Sequence, residues 1–121
     1  MFARRFVVAA TFTMLSASAF AQGRCTEPFE PVVPDGTTST QVSLAQANRD
    51  VVSYMRATQE YEQCLLAEFN AKEREAKDSK KGLDPSVRKT LDDKADALQA
   101  KKQRVGTTYN NAYKAFKAAH P

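Results

Sequence analysis

Apolar and aromatic residues recur at three- and four-residue intervals through the middle of the chain, at Leu44, Ala47, Val51, Tyr54, Met55, Tyr61, Leu65 and Phe69. That period puts them on one stripe of an α-helix, interrupted by the polar Thr58. No Pro or Gly intervenes before Gly82, so the pattern predicts a helix over about 40–81. Thr40 or Ser43 can cap its start, and Ser43-Leu44-Ala45-Gln46 fits a capping box. Gly82-Leu83-Asp84-Pro85 then punctuates the chain: Gly82 suits the left-handed position that ends a helix, Asp84 the next N-cap, and Pro85 the first helical position. A second stripe, Val87, Leu91, Ala95, Leu98, Val105, Tyr109, Ala112 and Phe116, predicts a helix over about 85–119. Gly106 weakens it locally by about 1 kcal/mol relative to Ala. A turn confined to 82–84 makes the two helices antiparallel neighbours. Folding the pattern at this tip sets Tyr54 near Tyr109 and Tyr113, Val51 near Phe116, and Phe69 near residues 95–98. The base of the hairpin is therefore aromatic and its distal part charged.

The pattern changes before residue 40. Residues 1–21 read as a signal peptide: Arg4 and Arg5 form a positive start, Phe6 to Leu15 an apolar run too short to span a bilayer, and Ala19-Phe20-Ala21 a cleavage site. The expected address is the periplasm or the exterior. Residues 22–39 carry Pro28, Pro31 and Pro34 at three-residue spacing, then Pro34-Asp35-Gly36. This predicts an extended arm ending in a turn, neither helix nor central strand.

Two cysteines follow the leader, Cys25 and Cys64, and in an oxidising compartment they predict a disulfide. The distances allow it. Helix from Thr40 to Cys64 rises about 36 Å, and the arm from Cys25 to Ser39 reaches about 43 Å in polyproline II. The arm can fold back at Pro34-Asp35-Gly36 and lie along the first helix, with Phe29, Val32 and Val33 over the groove between the helices. The expected fold class is thus all-α: a long antiparallel, coiled-coil-like two-helix hairpin with a Pro-rich arm stapled by Cys25–Cys64.

Composition narrows the function classes. The formal net charge is +4 and falls to about +2 once residues 1–21 are removed, which argues against a nucleic-acid partner. There is no Trp and few branched aliphatics, which suits a thin, elongated form. Residues 72–104 hold eleven Lys or Arg against seven Asp or Glu, a basic segment that could meet anionic lipid or lipopolysaccharide. Its interleaved signs also describe a solvated helix with i,i+4 pairs.

Candidate chemistry is sparse. Cys25 and Cys64 lack the close spacing and helix-start position of a redox-active pair. His120 is the only histidine and has no partners at metal-ligand spacing, so no metal and no cofactor are expected. Glu60, Glu62, Glu68, Glu73, Glu75, Asp92, Asp93 and Asp96 could be paired as acid and base, but a two-helix hairpin offers little room for the pocket such work needs. No catalytic residue is assigned and no enzyme is expected. Tyr54, Tyr61, Tyr109 and Phe116 read as hairpin core. Tyr113 lies off the stripe, Phe29 sits on the arm and Leu83 at the tip; these three are the candidate partner contacts.

Cys25-x-x-Pro28-x-x-Pro31-x-x-Pro34-Asp35-Gly36, the motif Tyr61-x-x-Cys64-Leu65 and the tail from Ala112 to Pro121 resemble a group of small exported helical-hairpin proteins of Gram-negative bacteria. The resemblance covers nearly all of the chain after the leader. It implies the disulfide and a periplasmic address, and brings no activity. The reading that results is a non-enzymatic interaction protein, an envelope adaptor or holdase-like binder, with an unidentified envelope protein or a second copy of itself as partner. Binding of an anionic envelope surface through the basic segment is the alternative.

Overall fold

The computed structural model describes residues 25–121; residues 1–24, which include the expected signal peptide, lie outside them. Two helices, α1 (Gln41–Asp78) and α2 (Pro85–Ala119), pack against each other as an antiparallel hairpin, preceded by an arm without regular secondary structure.

Local chemistry fixes each helix end. Thr40 is the N-cap of α1: its hydroxyl accepts from the Ser43 N–H at 3.1 Å, and the Ser43 hydroxyl accepts from the Thr40 N–H at 3.0 Å. This reciprocal box starts three residues before the one read from Ser43-Leu44-Ala45-Gln46, because Thr40 is the residue with extended backbone. α2 starts as expected, with Asp84 accepting from the Ser86 N–H at 2.9 Å and Pro85 at the first helical position.

The end of α1 corrects the sequence reading. The helix stops at Asp78, and Lys80, not Gly82, takes the left-handed conformation, with φ 54°. The Lys80 N–H bonds the Lys77 carbonyl at 3.1 Å and the Lys81 N–H the Ala76 carbonyl at 3.0 Å. This is the Schellman closure, with lysine where glycine is usual. At the C-cap, the Ser79 N–H and hydroxyl both bond the Glu75 carbonyl, at 3.0 and 2.9 Å.

The core is a file of small clusters along the helix–helix seam. Val51, Tyr54 and Val105 form one, with Val33, Met55 and Tyr109 packed on it. Tyr61, Leu65 and Leu98 form the next, with Cys25 and Leu91 beside them. Thr58 lies fully buried between the clusters, and its hydroxyl bonds back to the Met55 carbonyl at 2.7 Å. The polar interruption of the stripe is thus satisfied within its own helix. Ala95, placed on the α2 stripe by its spacing, is exposed. Each cluster has a residue of the arm packed on it, so the arm forms a third layer.

Candidate interaction surface

The arm converts its three-residue proline spacing into three faces. Cys25, Pro28, Pro31 and Pro34 are half-buried. Glu27 and Glu30 point to α2 and form ion pairs with Lys101 and Arg104. Next on that face come Val33, packed on the Val51–Tyr54–Val105 cluster, and buried Gly36. Thr26, Phe29, Val32 and Asp35 form the outward face, and all four are exposed.

The ends of the arm are pinned by different means. Cys25 is bonded to Cys64 with a Cα–Cα distance of 5.6 Å. At the other end the Asp35 carboxylate accepts from the Thr37 N–H at 2.9 Å and from the Thr37 hydroxyl at 2.8 Å. These bonds hold its carboxyl below the usual carboxylate range. The turn they make presses Gly36 onto α2. A Cβ at Gly36 would stand 1.8 Å from the Ala112 carbonyl oxygen, so the position needs glycine for close approach of two backbones.

The sequence-predicted contacts separate here. Phe29 and Val32 do not cover the groove; they are 95% and 88% exposed. The three-residue turn of the arm cannot point residues 29, 32 and 33 the same way, and only Val33 is turned inward. Tyr113 is 47% exposed and stacks on Tyr109 at 6.5 Å between ring centroids. Leu83 is half-buried at the tip rather than an apolar exposure. Phe29 and Tyr113 thus stand on different elements, and the structure does not gather the three candidates into one patch. His120 closes the end of α2, its ring stacked on Phe116 at 4.3 Å.

Lys101 and Arg104 were not singled out by sequence reasoning, yet they hold the arm. A retrospective signal exists: two carboxylates three apart in the arm, and two cations three apart on α2. Pairing with Glu27 raises the Lys101 ammonium above its ordinary value. Tyr54 and Tyr61 lie beneath, and burial raises both phenols. The Tyr54 hydroxyl is buried without a hydrogen-bond partner among the described residues.

Two clefts flank this assembly. One, of about 290 Å³, lies between the arm and α1 and is lined by Pro28, Phe29, Pro31, Asp50, Ser53, Tyr54 and Ala57. The other, of about 230 Å³, continues the helix–helix groove distal to Cys25 over Leu65, Phe69, Val87 and Leu91, with Glu68, Lys72 and Lys94 among its rim residues. Arg88 lies over the Phe69 ring, 5.4 Å from its centroid. The Glu68 carboxylate is within 4.8 Å of both cysteine sulfurs, but those sulfurs are spent in the disulfide. No helix among the described residues is long and apolar enough to cross a membrane.

Comparison of the chain with protein-family models, with curated proteins and with solved structures finds no match in any of the three.

Proposed function

We propose that this chain is a non-enzymatic interaction protein of the bacterial envelope, an adaptor that presents the outward face of its arm to a partner protein. One observation carries this reading. Phe29 and Val32, an aromatic and a branched aliphatic residue, stand almost fully exposed on an extended segment that is already fixed at both ends. An apolar side chain held in open solvent is a liability unless something covers it, and aromatic anchors dominate protein interfaces. Fixing the segment beforehand removes much of the ordering cost that a free peptide incurs on binding. Proline-bearing extended segments are recognised in this form by aromatic-lined grooves. The periplasmic address rests on the leader-like residues 1–21.

The basic distal segment offers less. Lys77, Arg88 and Lys89 are paired at i,i+4 with Glu73, Asp92 and Asp93, so part of its positive charge is offset in place.

The test is crosslinking from native envelope with the oxidised protein and with a Phe29→Ser, Val32→Ser double variant. The wild type is expected to capture a partner that the variant loses. Their melting curves should coincide, since neither side chain is buried. Equal capture by both proteins would refute the arm as the contact.

A further inference from the structure

The groove beneath the arm is covered by a lid pinned at its two ends, by Cys25–Cys64 and by the Gly36 turn. No backbone–backbone hydrogen bond joins residues 27–39 to either helix. Two partly exposed ion pairs join the arm to α2, Glu27–Lys101 and the two-bond Glu30–Arg104 pair. An extended segment also loses conformational entropy when it docks. Cys25–Cys64 is the covalent tether of the first half of the arm, while Val33 and the Gly36 turn seat its second half. The lid also fits its floor imperfectly, because it seals the Tyr54 hydroxyl without giving it an acceptor.

Lifting the arm would expose a groove of definite chemistry. Its floor is apolar, with Tyr54, Tyr61, Leu98 and Val105 from the two clusters. One edge carries two cations, Lys101 and Arg104, and the floor carries the Tyr54 hydroxyl, which has no hydrogen-bond partner among the described residues. We propose that this groove is a second binding site, for an extended acidic peptide, which the arm occupies in cis and the disulfide holds shut. Two carboxylates of the incoming peptide replace Glu27 and Glu30, apolar side chains cover the floor, and a backbone carbonyl accepts the Tyr54 hydrogen.

Opening requires reduction of the disulfide by a dithiol of the C-x-x-C class. A thiolate of the reductant attacks one sulfur and forms a mixed disulfide, and the second thiol resolves it. Two electrons and two protons pass to Cys25 and Cys64, and the reductant leaves as a disulfide.

The test uses the full mature chain and two fluorescein-labelled ten-residue peptides of valine and proline. One carries two glutamates three positions apart, the other two lysines. By fluorescence anisotropy, Cys25→Ser and dithiothreitol-reduced wild type are expected to bind the glutamate peptide at least about tenfold more tightly than the oxidised chain does. The lysine peptide should show no such gain. Lys101→Glu with Arg104→Glu, in the Cys25→Ser background, should reverse the preference. Equal binding to oxidised and opened protein, or binding indifferent to peptide charge, would overturn the proposal. So would loss of helical circular dichroism in both Cys25→Ser and reduced wild type, since the arm would then not be a separable cover. Phe29→Ser with Val32→Ser should leave this binding unchanged, so the groove and the outward face of the arm stand or fall separately.

Discussion

Single residues set the close contacts of this fold, and two of them make opposite predictions. Gly36 is pressed against the backbone of α2, so a methyl group there meets a carbonyl that cannot rotate away. Gly36→Ala is expected to lower stability by about 2 kcal/mol or more, read as a lower urea midpoint. Lys80 holds a left-handed conformation that a β-carbon disfavours. Lys80→Gly should raise stability by about 1 kcal/mol in the same assay, whereas Gly82→Ala meets open space and no positive φ, and should be neutral. Titration follows the same logic. Asp35 and Asp84 are held below their ordinary value by hydrogen bonds from Thr37 and Ser86. A depressed folded value means that their stabilisation is full above the unfolded carboxylate range, near pH 4, and fades as pH falls through the folded value. Raised values at Tyr54, Tyr61 and Lys101 work at the other extreme. Their stabilisation is full below about pH 10 and fades as pH rises through the folded values. Melting temperature against pH should therefore fall on both sides, and ultraviolet titration should find Tyr54 and Tyr61 ionising above the ordinary tyrosine range.

The helices were legible as elements because their evidence is local. A three-and-four stripe and a Thr or Asp cap at the start need no knowledge of the rest of the chain. The end of α1 was less legible, because Ser79 and Lys80 close the helix before the glycine that attracts attention. Replacing Asp84 by Ala should remove the cap of α2 and lower stability by about 1 kcal/mol. The arm was legible in outline and misread in detail. Three-residue proline spacing predicts an extended segment, and chain length predicts that Cys25 reaches Cys64. Which third of the arm faces inward is decided elsewhere, by Lys101 and Arg104 drawing Glu27 and Glu30 to one side. With that face turned to α2, Phe29 and Val32 have to point out. No local pattern contains that information.

At the scale of the whole molecule, two helices alone make a thin core, and the arm supplies its third layer through Val33 and Cys25. The bridge closes a loop with a sequence separation of 39 residues. Removing it by Cys64→Ser should lower stability by about 4 kcal/mol on the chain-entropy model, with the unfolding midpoint as the readout. The same bridge links the two functional readings, since it displays the outward face of the arm and shuts the groove beneath it. Both depend on one claim: the arm is a rigid cover, latched by Cys25–Cys64 to a hairpin that stands without it. Backbone ¹⁵N relaxation of the oxidised and reduced protein tests that claim directly. In the oxidised form, Glu27, Phe29, Val32 and Val33 should show order parameters near those of the helices, about 0.85. On reduction those four should fall below about 0.6 while α1 and α2 stay rigid. An arm that remains ordered after reduction, or helices that lose order together with it, would contradict the account.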